Sequence, residues 1–150
     1  MKYEDCKTEQ EFKTEWIRRH RKEFKELFCI ETEETVKGFP DVLGIRETDV
    51  LDGKCKVIAK VQTPSFIEFK LARKGKIKFQ PTQPAFYRAH KELDIEVVSL
   101  AEHKGKYYIV CFKAEAIFED NGSFEINGNN EVDLRDWLEF MEEREKGAKL

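Results

Sequence analysis

The 150-residue chain contains no run of eighteen apolar residues, which excludes a membrane-spanning helix of ordinary length. Met1 to Cys6 also lacks the apolar stretch of a secretory signal, so a soluble, cytoplasmic protein without a membrane partner is expected. Cysteine is sparse. Cys6, Cys29, Cys55 and Cys111 lie far apart, with no CxxC pair for zinc and no dense disulfide framework, so reduced thiols are expected. Histidine is sparser still: His20, His90 and His103 are too scattered for a metal trio and read as structural or exposed. No Ser-His-Asp or Cys-His nucleophile pattern occurs. The phosphate-cradling glycine loops, GxGxxG and GxxxxGK followed by Ser or Thr, are absent too, which argues against a nucleotide cofactor.

Positive charge is not in excess either. The formal net charge is −3, so the chain is not a globally basic nucleic-acid coat, and binding a polyanion would need local patches. Two exist: Arg18, Arg19, Arg21 and Lys22 in the first helix, and Lys70, Arg73, Lys74, Lys76 and Lys78 after the third strand. The length fits one domain able to close its own core, and no internal repeat or interdomain linker divides residues 1–150.

From Thr8 to Phe28, the apolar residues Phe12, Trp16, Ile17, Phe24, Leu27 and Phe28, together with His20, recur at helical spacing and predict one helix. Thr8 and Glu11 have capping-box spacing. On this helix Glu9 falls within the apolar arc or at its rim, whereas Glu11 and Glu15 fall outside it. A Glu-rich connection follows. Phe39 to Ile45 and Cys55 to Val61 then read as a hairpin turning at Asp52-Gly53, and Thr63-Pro64-Ser65 reads as a break. Phe66 to Leu71 alternates as a half-buried strand, with Phe66, Glu68 and Lys70 on one face. A Lys-rich loop leads to a second helix that starts at Pro81 and runs to about Leu93. Ile95–Leu100 and Tyr107–Phe112 read as strands joined at Lys104-Gly105. Asn121 to Asn130 reads as turns around a short strand at Phe124–Ile126. Asp133 then caps a last helix whose apolar face is Leu134, Trp137, Leu138 and Met141, placed to cover the sheet.

The chemically informative fragment is Gly38-Phe39-Pro40-Asp41, then Glu68-Phe69-Lys70, then Gln83. Mg²⁺ takes oxygen ligands and keeps several waters, so Asp41, Glu68 and the backbone carbonyl of Phe69 form a plausible open platform for it. Lys70, two residues beyond Glu68 on the same strand face, can set its ammonium beside a scissile phosphate. An isolated Glu-x-Lys strand is common and usually only a surface ion pair. The order and context distinguish this one: GFPD opening one strand, FIEFK within another, and Pro-Thr-Gln starting a helix directly behind.

In GFPDVLGI followed by FIEFKLARKGKIKFQPTQ, the chain resembles the PD-(D/E)XK nucleases, and most of all their VRR-NUC and Holliday-junction-resolvase branches. The resemblance covers roughly residues 8 to 112, with 113–150 a C-terminal extension, and implies a lengthened hairpin between Asp41 and Glu68. It implies an α/β, restriction-endonuclease-like fold with a central mixed sheet flanked by helices, in which Asp41 and Glu68 meet at one sheet edge. It further implies that Glu9, Asp41, Glu68, Lys70 and Gln83 converge on Mg²⁺, for which Mn²⁺ substitutes. Glu11 rivals Glu9, and Gln80 rivals Gln83, which is preferred because it follows Pro81 by two. The expected activity is hydrolysis of DNA phosphodiesters, structure-specific on a junction, flap or other repair or recombination intermediate. Arg73, Lys74, Lys76, Lys78, Arg18 and Arg19 would hold the DNA backbone, and a homodimer would suit paired cuts. The competing expectation is a catalytically silent nucleic-acid-binding or regulatory domain that keeps the fold.

Overall fold

The computed structural model describes residues 1–30, 38–118 and 124–148. The Glu-rich connection at 31–37, and the first residues of the Asn/Gly-rich turn, lie outside them. Helix α1 spans Glu9–His20, and the Thr8 hydroxyl accepts the Glu11 N–H at 3.1 Å, as its capping spacing requires. The helix does not reach Phe28. After a 3₁₀ turn at Arg21–Glu23 the chain extends into β1 (Glu26–Cys29), which pairs antiparallel with β2 (Val42–Leu51). A short apolar segment such as Leu27-Phe28 fits either periodicity, and backbone pairing along β2 decides for the strand.

β2 begins at Val42 rather than Phe39 and forms a long hairpin with β3 (Val57–Arg73). Pro64 does not break β3, which runs through it for seventeen residues. Pro64 is opposite Ile45 of β2, whereas β5 (Ile95–His103) begins its pairing only at Phe66. On the β5 side, residue 64 therefore has no partner strand that needs an N–H. The Lys-rich segment is not a plain loop. It turns at Lys74 and Gly75, both at positive φ, into β4 (Lys76–Lys78).

Helix α2 spans Thr82–Ala89 and stops short of Leu93. β5 lies parallel to β3, and β6 (Lys106–Lys113) returns antiparallel to β5. Phe124–Ile126 is not a strand but a single bridge from Ile126 to Val132. The strand here is β7 (Glu131–Asp133), paired with β4. Asp133 then accepts the Arg135 N–H at 3.0 Å, at the start of α3 (Arg135–Ala148).

The described residues form an α/β fold: a mixed, mostly antiparallel seven-stranded sheet flanked by three helices, compatible with the restriction-endonuclease-like class. One face packs Ile67, Phe69, Val98 and Leu100 under Phe12 and Trp16 of α1. The other packs Ala72, Ile77, Val97 and Ala101 with Phe86 of α2 and Leu134 and Leu138 of the C-terminal segment. Among the described residues no helix is long and apolar enough to cross a membrane.

Candidate active site

β3 is flanked by β5 on one side. On its other side β2 covers it up to Ile67 and β4 takes over only at Ala72. Residues 68–71 therefore lie at a fork, where one flank of a central strand carries no partner strand among the described residues. Asp41 and Glu68 meet here, in the middle of the sheet and not at its edge.

The motif's glycine is what brings Asp41 in. Gly38 has φ +86, and a Cβ there would stand 2.2 Å from the Thr82 carbonyl oxygen, so only glycine lets this segment lie against the first turn of α2. Phe39 then wedges between β3 and α2, its ring 5.3 Å from that of Phe66 and 5.2 Å from that of Phe86. Asp41 follows, and its Oδ2 accepts the Phe69 N–H at 3.5 Å. In extended backbone the Phe69 carbonyl leaves the strand on the same side as this N–H, toward the open flank.

Glu68 and Lys70 are buried on the α2 face. Gln83 Nε2 donates to Glu68 Oε1 at 2.7 Å, and Gln83 Oε1 accepts the Gln80 N–H at 2.9 Å. This places Gln83 at the centre and leaves Gln80 supplying only its backbone. Lys70 Nζ stands 4.0 Å from both Glu68 Oε1 and Glu9 Oε1, and 5.3 Å from the Phe79 ring centroid. Glu9 is the half-exposed rim of the cluster. Glu11 instead turns back to the helix start, accepting from Thr8 Oγ1 at 3.2 Å.

Two carboxylates, Glu9 and Glu68, thus share one ammonium, and a third, Asp41, adds its charge beside Glu68. Burial, reinforced by Asp41, pushes the Glu68 carboxyl up to about 8. Among the described residues Glu68 Oε2 is buried with no hydrogen-bond partner. A buried carboxylate oxygen left without a donor, in a cluster short of positive charge, is where a divalent cation fits. The residues present therefore suit the Mg²⁺ that the motif implies.

The expected cationic patches divide. Arg18 and Arg19 both bind Glu15, which is buried rather than outside the apolar arc, and which they hold at about 2. Arg19 also lies 3.8 Å above the Tyr3 ring. Lys78 donates to the Asn129 carbonyl at 2.9 Å, and Lys76 lies opposite Asp133 in the backbone register of β4 and β7. Arg73 and Lys74 stay exposed at the β3–β4 turn. Among the described residues His103, Glu139 and Glu142 each offer a ligand atom within 4.8 Å of the others, which scattered histidines did not suggest. Lys104 Nζ already stands 3.0 Å from both carboxylates and Lys146 Nζ 3.3 Å from Glu142, so this group is charge-balanced and ties α3 to the β5–β6 hairpin.

Sequence reasoning missed Tyr87. It is one turn beyond Gln83 on α2, fully buried, and its hydroxyl has no hydrogen-bond partner among the described residues. Burial and the charges of Glu68, Asp41 and Glu9 push that hydroxyl far up. Its i, i+4 relation to Gln83 was the available signal.

Fold and cluster together define a carboxylate–lysine centre at the fork of an α/β sheet. No protein-family model matches the chain, and no curated protein matches it significantly.

Proposed function

We propose that the chain is a metal-dependent nuclease of the PD-(D/E)XK type that hydrolyses DNA phosphodiesters. The observation that carries this is the orphaned, buried Glu68 Oε2 beside Asp41, with Lys70 the nearby cation. Asp41, Glu68 and the Phe69 carbonyl would hold Mg²⁺ or Mn²⁺, and the ion when bound would polarise the phosphate and acidify a water.

The chain's own groups supply the rest. Gln83 holds one Glu68 oxygen in place and leaves the other free to act as a ligand. Lys70, buried between Glu9 and Glu68, offers its ammonium to the negative charge that grows on the phosphate as water attacks in line. Because that ammonium sits in a buried pocket rather than in bulk water, its effect on the developing charge is enlarged. Glu9, at the rim, keeps Lys70 aimed at the opening.

The test is cleavage of a labelled panel, comprising four-way junction, flap, nicked duplex, plain duplex and single strand, with Mg²⁺, Mn²⁺ or EDTA. Metal-dependent cutting that disappears in Glu68→Ala is expected. Binding of DNA with no cutting of any member would replace this reading with the catalytically silent domain.

A further inference from the structure

β3 and β5 are the parallel pair of the sheet, and a cleft of about 370 Å³ opens at their carboxyl ends. In open α/β sheets this is where ligands collect. Its floor is apolar, with Leu71 of β3 and Leu100 of β5. Its rim is cationic: Lys7, just ahead of α1, and Arg73 and Lys74 at the β3–β4 turn, all exposed. Tyr107, at the start of β6, stands at the other side with 37% of its surface exposed. Tyr107 also borders a second, larger depression of about 880 Å³, in which Tyr3 and Tyr108 alternate with Lys2, Arg19 and Lys106. Of the cations that line the two hollows, Lys2, Arg19, Lys104 and Lys106 pair with carboxylates, and the positive charge that remains among the described residues is that of Lys7, Arg73 and Lys74 around the smaller cleft. In a chain of net charge −3 this concentration is local.

Consecutive hollows sharing an exposed ring, with cations along their rims, suit a flexible polyanion whose monomers carry flat apolar faces. A rigid duplex keeps its base faces stacked inside and cannot offer them to Tyr107, whereas a single strand can. The cleft's rim leads to the candidate centre through the start of α1: Lys7 is two residues before Glu9, whose carboxylate stands 4.0 Å from Lys70 Nζ, while the floor residue Leu71 faces the α1 side of the sheet.

We propose that this tract is a binding groove for a single DNA strand, with unpaired bases stacked on Tyr107 and phosphates held by Lys7, Arg73 and Lys74, so that the substrate reaches the centre as a single-stranded tail or flap. This deepens the nuclease reading and rests on it for the meaning of the bound strand. Sequence reasoning grouped Arg73 and Lys74 with Lys76 and Lys78 as one backbone clamp. The fold gives the first two a different neighbour, Lys7, and an aromatic partner that no linear motif contains.

The test is fluorescence anisotropy of a short labelled oligothymidylate, and of a duplex of equal length, titrated with the whole protein in EDTA so that binding is read without cleavage. Tyr107→Ala is expected to weaken single-strand binding by about tenfold or more and to leave duplex binding unchanged, while Tyr107→Phe keeps the ring and the affinity. Lys7→Gln and Arg73→Gln should each reduce the log–log salt slope by about 0.7. Wild-type single-strand affinity in Tyr107→Ala, or an equal loss on duplex, overturns the groove. A protein that cuts DNA but binds normally as Tyr107→Ala loses only the groove. One that loses strand binding on that change yet cuts nothing keeps the groove and loses the nuclease.

Discussion

Gln83 Nε2 donates to Glu68 Oε1 at 2.7 Å, a buried bond that ties the first turn of α2 to the middle of β3. It also settles which Glu68 oxygen is satisfied and which is left bare. Gln83→Ala removes the donor and leaves both oxygens of a buried carboxyl unpartnered, at a cost of about 1–3 kcal/mol. Urea unfolding in EDTA should show the loss, and metal-dependent cleavage should fall with it. Unchanged stability would mean that the bond contributes nothing to holding the centre.

The burial that raises Glu68 also sets a pH dependence. Its folded value, about 8, lies above its ordinary 4.5, so the native state holds this proton more tightly than the unfolded state does. Its contribution is fully present below 4.5 and is lost as the pH rises through about 8. In EDTA, stability should therefore decline across this window in the wild type. Glu68→Gln, which mimics the protonated form, should flatten the decline and be the more stable protein at neutral pH. A melting series from mildly acidic to mildly alkaline pH checks both.

Two other carboxylates act in the opposite sense. Glu15 is held at about 2 by Arg18 and Arg19, and Glu142 at about 2 by Lys104 and Lys146. Each stabilises the fold above its ordinary value of 4.5, and this stabilisation disappears as the pH falls toward 2. The double variant Glu15→Gln, Glu142→Gln should lose less stability on acidification than the wild type, measured as Tm against pH. Its Tm at neutral pH should be lower.

Gly38 is a position where a single methyl group should matter. Gly38→Ala places a Cβ against the Thr82 carbonyl and forces an L side chain to φ +86, so the loop, α2 or both must shift. A destabilisation upward of about 2 kcal/mol is expected, together with loss of cleavage as Asp41 is displaced. Chemical denaturation and the cleavage assay test this. Wild-type behaviour in both would show that the approach of the two segments has no part in positioning Asp41.

Mg²⁺ itself should stabilise the protein. A ligand at a hundred times its Kd adds about 2.7 kcal/mol to the native state, so the Tm should rise with Mg²⁺ in the wild type and stay flat in Glu68→Ala. A rise that persists in the variant would place the ion elsewhere, and His103, Glu139 and Glu142 would be the first group to substitute.

Much of this was legible in the linear chain because it depends on neighbours a few residues apart. The capping of α1 by Thr8, the shared face of Glu68 and Lys70, the turn at Lys104-Gly105 and the β5–β6 hairpin all follow from spacing, which the backbone's own periodicity converts into geometry. So does Gln83 at the start of α2, because Pro81 marks the first turn. What the linear chain left open was decided by partners distant in sequence. β2 drew residues 26–29 out of a helical pattern and into a strand, and the absence of a β5 partner at residue 64 let β3 run through a proline. β4 forms between β3 and β7, β7 pairs with β4, and neither segment carries a strand signal of its own. Glu15 is buried because two arginines neutralise it, which helical phase does not register. The fork in the sheet, and with it the bare Glu68 oxygen, exists only because the β2 pairing stops at Val42–Ile67 and the β4 pairing starts at Ile77–Ala72 on the same flank of β3. Spacing along the chain names the residues of the centre, but their proximity, burial and lack of a partner depend on which strands lie side by side.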